Sequence, residues 1–111
     1  MNLPDIHILL ADDHQIILDG LVTMFAEDSQ IKILGQANNG REAVELTRLL
    51  KPQLVLMDLN MPEMNGMVAA AEIKKSFPEV KVIILSLHAE KSVIQHMMET
   101  GVDLMFDIHG D

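Results

Sequence analysis

Short apolar runs alternate with longer segments of helical periodicity along the whole chain. This alternation is typical of βαβ units and predicts an α/β fold around a parallel sheet. The third and fourth runs are almost continuously apolar, as in strands that are covered on both faces, so we expect them in the middle of the sheet. The five predicted strands are Ile6–Ala11, Ile31–Ala37, Leu54–Asp58, Val80–Ser86 and Asp103–Ile108.

Four helices are predicted between these strands. Pro52 and Pro78 follow the ends of the second and third helices, and Gly101 follows the fourth, where it can adopt positive φ. Gly40 and Gly66 are predicted to lie in the turns that lead into helices two and three. The apolar face of the first helix is predicted to contain Ile17, Leu21, Met24 and Phe25. The predicted helices are Gln15–Asp28, Arg41–Leu50, Met67–Phe77 and Glu90–Thr100.

The composition is that of a folded acidic domain. A chain of 111 residues predicts one domain spanning 1–111, and 49% hydrophobic against 23% charged residues is typical of globular proteins. Lys and Arg number 8 against 17 Asp and Glu, so the net charge is −9 and argues against direct nucleic acid binding by this segment. The sequence contains no cysteine, no signal peptide pattern and no apolar run that could span a membrane, so we expect a cytoplasmic location.

Three carboxylates lie at the carboxyl ends of two predicted strands. Asp12 and Asp13 come after the first strand and Asp58 ends the third. Binding residues gather at the carboxyl ends of strands in open α/β sheets, so we expect the three to converge there. Such a cluster requires protonation or a hard cation, and its oxygen ligands suit Mg²⁺. Alternatively, the Asp pair caps the next helix and Asp58 belongs to a turn. The five histidines lack paired ligand spacing, and surface or core roles are expected for them.

The order of several segments resembles response-regulator receiver domains. They are Ala-Asp-Asp-His-Gln-Ile-Ile-Leu-Asp-Gly (11 to 20), Asp58-Leu-Asn-Met-Pro62 with Asn65-Gly66, and Ser86. The first resembles the subfamily that carries a C-terminal helix-turn-helix output domain. The resemblance covers nearly the whole chain and implies a flavodoxin-like doubly wound sheet with strand order 2-1-3-4-5.

The resemblance also implies a role for each matching residue. Asp58 is expected to accept a phosphoryl group from a sensor histidine kinase in two-component signalling. Asp13 and Asp58 are expected to bind Mg²⁺ directly, Asp12 directly or through water, and Asn60 through its backbone carbonyl. Ser86 is expected to hydrogen-bond the phosphoryl group in the active state. Such a domain catalyses its own modification without being a conventional enzyme.

Two departures from the family pattern stand out. The lysine that ends the fifth strand in the family falls on Ile108, and no Lys or Arg follows Lys91. The sequence ends a few residues after the fifth predicted strand, so the C-terminal helix and any output domain are expected to be missing and the fifth helix to be absent or truncated. A bare sheet flank favours a homodimer or a segment-swapped oligomer. The alternatives are a degenerate or truncated receiver that acts as an interaction or dimerisation module, and an aspartyl-nucleophile phosphatase.

Overall fold

The computed structural model describes residues 4–86, 92, 95, 99 and 101–107. Strands and helices alternate as the sequence pattern predicts, and the first three strands begin and end at the predicted residues. The elements are β1 Ile6–Ala11, α1 Gln15–Phe25, β2 Ile31–Ala37, α2 Gly40–Leu50, β3 Leu54–Asp58, α3 Gly66–Ser76, β4 Lys81–Ser86 and β5 Leu104–Asp107.

All four neighbouring strand pairs are parallel, and the order in the sheet is β2-β1-β3-β4-β5. The flavodoxin-like doubly wound fold is therefore confirmed. The nearly continuous apolar runs of β3 and β4 take internal positions, because both of their faces are covered. The carboxyl ends of all five strands point to one edge of the sheet, and this edge carries the residues of interest.

The last two strands each begin one residue later than predicted. Val80 lies outside β4 because its backbone N–H donates to the carbonyl of Phe77 in the preceding turn, at 3.0 Å. The strand β5 begins at Leu104, and the predicted last residue Ile108 lies outside the described residues. Of the predicted helix 90–100, positions 92, 95 and 99 are helical and the others lie outside the described residues.

The apolar face predicted for α1 is partly wrong. Ile17 is 42% exposed and Met24 is 56% exposed, whereas Leu18 is completely buried. The residues that pack on the sheet are Leu18, Leu21, Val22 and Phe25. This set has the 3.6-residue period of a helix, but it is rotated by one position from the predicted set. The helix also ends at Phe25, three residues earlier than expected, and a turn at Asp28 follows it.

Side chains from alternate strand positions form two cores, one on each face of the sheet. Leu9, Val55 and Met57 lie on the face covered by α2 and α3, together with Ala43, Ala69, Ala70 and Ile73. Ile8, Leu10 and Leu56 lie on the opposite face and pack around Leu18 of α1. The central strands are therefore fixed from both sides, and their carboxyl ends have a rigid base.

Two asparagines determine where α2 and α3 begin. The Asn39 side chain accepts a hydrogen bond from the backbone N–H of Glu42 at 2.8 Å, and Asn65 accepts one from Val68 at 3.0 Å. These N-caps make Gly40 and Gly66 the first helical residues, one position earlier than predicted. None of the helices in the described part of the chain is long and apolar enough to cross a membrane.

Candidate metal centre

The sheet brings the ends of β1 and β3 together. The two strands are hydrogen-bonded neighbours in which Ala11 lies opposite Met57, so Asp12 and Asp58 are the next residues on each strand. The backbone N–H of Asp12 also donates to the carbonyl of Ala37 at 2.9 Å, which keeps it in line with β2. Both carboxylates therefore reach the same edge of the sheet.

Four side chains converge at this edge, and each offers one ligand atom within 4.8 Å of the others. They are the three carboxylates expected from the sequence, Asp12, Asp13 and Asp58, together with the imidazole of His14. Asp12 is buried, Asp58 is partly buried, and Asp13 and His14 are exposed. The cluster thus has a buried side against the sheet and an open side toward solvent.

His14, for which the sequence pattern predicted an ordinary surface or core role, is the fourth member of the cluster. Its ring Nδ1 lies 2.9 Å from Asp12 Oδ1 and 3.1 Å from Asp13 Oδ1. The hydrogen bond to Asp12 and the charge of Asp13 raise the pKa of the imidazole. When the ring is protonated, it offsets part of the negative charge of the three carboxylates. The signal in the sequence was its position directly after the Asp pair, which the search for paired ligand spacing did not weigh.

The alternative in which the Asp pair caps α1 is not what the structure shows. The N-cap of this helix is His14, and its side chain makes no capping hydrogen bond. Asp12 Oδ1 accepts the backbone N–H of His14 at 2.8 Å, which is a contact within the loop before the helix. The Asp pair thus shapes the loop and faces the cluster instead of closing the helix.

The environment of Asp58 opposes its ionisation. Burial, followed by the charges of Asp12 and Asp13, raises the pKa of Asp58 from 3.8 to about 6. The backbone N–H of Asn60 and the charge of His14 act in the opposite direction but are outweighed. An ionised Asp58 is therefore a carboxylate that lacks sufficient compensation from the protein, and a nearby cation would stabilise it.

The donor set fits Mg²⁺ by its chemistry. Hard oxygen ligands are what this ion prefers, and it binds through one or two carboxylates while retaining water molecules and accepting phosphate oxygens. Asp12, Asp13 and Asp58 supply such oxygens around one point, and the exposed side leaves room for water. The two positive charges of the ion would also relieve the repulsion that raises the pKa of Asp58.

The loop after β3 is fixed at both ends. The backbone N–H of Leu59 donates to the carbonyl of Leu85 at 3.1 Å, and that of Gly66 donates to the carbonyl of Leu59 at 2.7 Å. A Cβ on Gly66 would lie 2.2 Å from the carbonyl oxygen of Asp58, so only glycine fits this close approach. The loop that contains Asn60 and Pro62 is therefore held close beside the cluster.

Ser86 lies at the end of β4, one position beyond Leu85, which is opposite Asp58 in the sheet. Ser86 is therefore at the same edge of the sheet as Asp58. It is only 1% exposed, so its hydroxyl group is covered by protein. The position of the family lysine, Ile108, lies outside the described residues. The structure thus places three of the five predicted site residues in one cluster, with Asn60 in the adjoining loop and Ser86 at the same edge of the sheet.

The fold and this arrangement of carboxylates define a class of protein. The family model of the response regulator receiver domain matches residues 8–107. The chain belongs to this family, the receiver domains of two-component response regulators.

Individual relatives agree with that assignment. The chain is 35% identical to the transcriptional regulatory protein DegU of Brevibacillus brevis over 101 residues, which are 91% of this chain and 43% of the relative. It is 35% identical to the response regulator protein VraR of Staphylococcus saprophyticus over 98 residues, or 88% of this chain and 47% of the relative. The chain thus spans less than half the length of these curated relatives.

A solved structure shows the same fold. The signal receiver domain of the putative response regulator NarL from Mycobacterium tuberculosis superimposes with a TM-score of 0.86 at 25% sequence identity. The match covers 93% of this chain and 83% of the NarL chain. The chain therefore corresponds to most of a receiver domain.

Proposed function

We propose that Asp58 accepts a phosphoryl group from a sensor histidine kinase, and that Asp12, Asp13, Asp58 and the backbone carbonyl of Asn60 hold Mg²⁺. The observation that carries this proposal is the approach of Asp58 to two other carboxylates within 4.8 Å at the carboxyl edge of a parallel sheet. Family membership supports the same reaction class.

The chain's own residues supply the nucleophile. A carboxylate oxygen of Asp58 attacks phosphorus in line, and the P–N bond of the phosphohistidine breaks while the electron pair returns to the imidazole. Bound Mg²⁺ supplies neutralisation of the charge on the phosphoryl oxygens. Water later attacks the acyl phosphate, which releases inorganic phosphate and restores the Asp58 carboxylate. The Ser86 hydroxyl group, at the carboxyl end of β4, would hydrogen-bond the phosphoryl group after the transfer.

The direct test is chemical labelling of the purified chain. We expect acetyl phosphate with Mg²⁺ to add one phosphoryl group per chain, detected by mass spectrometry, and a chelator to abolish the addition. Asp58→Asn should remove the labelling and Asp13→Asn should reduce it strongly. Asp5→Asn is the matched control, because Asp5 is an exposed carboxylate just before the amino end of β1, whereas the cluster lies at the carboxyl end of that strand.

The outcomes separate the three readings of the sequence. A single labelling of Asp58 supports the receiver, whereas steady turnover of an aryl phosphate would support the aspartyl phosphatase. Absence of labelling with acetyl phosphate and of binding to beryllofluoride would leave a degenerate interaction module. The phosphotransfer proposal is then wrong even though the fold is that of a receiver.

A second proposal concerns what this domain controls, and it comes from the relatives. The relatives named DegU and VraR are a transcriptional regulatory protein and a response regulator, and both are more than twice as long as the matched segment. We infer that this domain controls a DNA-binding segment of a longer regulator. The acidic surface of this segment, with a net charge of −9, leaves DNA contact to that other part.

A further inference from the structure

We propose that Gly40, the first residue of α2, positions the metal-binding loop after β3 through a direct backbone contact. This inference rests on the proposed function, because it concerns how the same site is held in shape. It assigns a role to two segments that contribute no ligand: Asn39-Gly40 before and within α2, and Glu63-Met64 in the loop.

The contact at Gly40 leaves no space for a side chain. A Cβ at this position would lie 1.8 Å from the carbonyl oxygen of Met64 and 2.6 Å from its carbonyl carbon. The obstacle is backbone, so it cannot rotate away as the end of a side chain could. The φ angle of Gly40 is not in the left-handed region, and the requirement for glycine therefore comes from the close approach of the loop.

A second contact lies beside the first. The side chain of Asn39 donates from Nδ2 to Glu63 Oε2 at 3.0 Å, while its Oδ1 caps α2 by accepting the N–H of Glu42. Glu63 has a φ of 64°, which is unfavourable for a residue with a side chain. Two contacts therefore join Asn39-Gly40 to Glu63-Met64, one between side chains and one between backbones. The strained residue of the loop, Glu63, takes part in the first of them.

The contact bears on the metal site because the loop is short and held at both ends. Asp58 ends β3 and Gly66 begins α3, and the backbone N–H of Gly66 donates a hydrogen bond to the carbonyl of Leu59. A Cβ at Gly40 would force the Met64 carbonyl or the helix to move by about 1 Å or more. Metal ligands must be held within about 0.5 Å of their working geometry. A displacement of Met64 would shift the loop residues between Asp58 and Met64, which include Asn60.

The first test compares alanine at three glycines in the full chain. Gly40→Ala should weaken Mg²⁺ binding about 10- to 100-fold, the range found when supporting residues around a metal are changed. Gly20→Ala is the matched control, because nothing lies within 4 Å of its added Cβ. Gly35→Ala is a second control, since its Cβ meets only the ends of two side chains, Leu50 Cδ1 at 3.0 Å and Leu9 Cδ1 at 3.7 Å. Calorimetric titration with Mg²⁺ alone measures the affinity, and circular dichroism verifies the fold.

The second test does not depend on a backbone clash. Glu63→Ala removes both the charge and the acceptor for Asn39, whereas Glu63→Gln removes the charge and retains an acceptor oxygen. We expect Glu63→Ala to weaken Mg²⁺ binding several-fold more than Glu63→Gln does. Equal losses in the two variants would mean that charge alone acts here and would overturn the role of the Asn39 contact. If Gly40→Ala does not fold, this pair still decides whether the start of α2 positions the loop, because Asn39 and Gly40 contact adjacent loop residues.

A readout without metal separates this inference from the proposed function. In the metal-free protein, Gly40→Ala should shift the backbone amide resonances of residues 59–61 and 63–65, and Gly20→Ala should leave them unchanged. A folded Gly40→Ala chain with unshifted loop resonances, or with Mg²⁺ affinity within about twofold of the parent, overturns the inference. If the parent chain itself binds no Mg²⁺, the proposed function fails, and the loop resonances still decide whether Gly40 positions the loop.

Discussion

Replacing Asp58 by asparagine should stabilise the metal-free protein at neutral pH. The ionised carboxylate is partly buried and lies beside Asp12 and Asp13, and these causes raise its pKa from 3.8 to about 6. The folded state therefore binds the Asp58 proton more tightly than the unfolded chain does. Asparagine has nearly the same shape and no charge, so it removes the repulsion while the space remains filled.

The size and sign of the effect follow from the pKa. At about 1.4 kcal/mol for each pKa unit, the full shift corresponds to about 3 kcal/mol, and solvent screening of a side chain that is only half covered reduces it to about 1–2 kcal/mol. Because the folded-state pKa is raised, the favourable contribution of Asp58 is complete below pH 3.8 and is lost as the pH rises through about 6. The advantage of Asp58→Asn should thus be full above pH 6 and shrink below it.

Urea unfolding of the two chains in the presence of a chelator measures this difference. We expect a higher free energy of unfolding for Asp58→Asn at about pH 7.5 and a much smaller gain at about pH 4.5. Added Mg²⁺ should reduce the difference in unfolding free energy between the two chains. The ion stabilises the folded parent chain by mass action, whereas the variant lacks one of the carboxylate ligands. If the variant is no more stable than the parent at neutral pH, or if its gain does not change with pH, the electrostatic account of the cluster is wrong.

Three further changes test other parts of the molecule. Asp103 Oδ2 accepts the Val82 N–H at 2.8 Å and lies 3.0 Å from Lys74 Nζ. Lys74 Nζ also donates to the carbonyl of Val80 at 2.8 Å, so the Val82 N–H is the donor that loses its acceptor in Asp103→Ala, and the change should cost about 1–3 kcal/mol in urea unfolding. The exposed Glu45 pairs with Arg48 at 2.7 Å, and Glu45→Ala should cost less than about 0.5 kcal/mol, so equal losses would contradict this difference. Ile108→Lys should accelerate labelling by acetyl phosphate, because three carboxylates and Mg²⁺ leave one negative charge; equal rates would refute this.

The strands were the most predictable part of the fold, for a physical reason. A strand covered on both faces must be apolar at successive positions, and a polar residue ends the run where the chain leaves the sheet. Asp12 follows β1 directly and Asp58 ends β3, so the polar residues mark both the strand ends and the site. The same sequence feature thus predicted the boundaries and the convergence of the carboxylates.

The rotation of α1 could not be predicted from the same pattern. Ile16, Ile17 and Leu18 are consecutive apolar residues, so a helical stripe can begin at any of them. Only the sheet selects the face, and it buries Leu18 and leaves Ile16 84% exposed. Periodicity specifies that an apolar face exists, whereas tertiary packing specifies its direction.

The contact between α2 and the metal-binding loop was beyond sequence reasoning for a related cause. Alanine at the first position of α2 would favour the helix by up to about 1 kcal/mol over Gly40, so local propensity argues against the residue that is present. The explanation is the carbonyl of Met64, which is distant in sequence and approaches only in the folded chain. A residue that opposes its local preference is therefore evidence of a long-range contact, but the partner is visible only once the topology is known. Here the topology puts Met64, the partner of Gly40, in the loop beside Asp58. The contact between these two residues therefore explains both the unfavourable helix propensity at position 40 and the position of the loop.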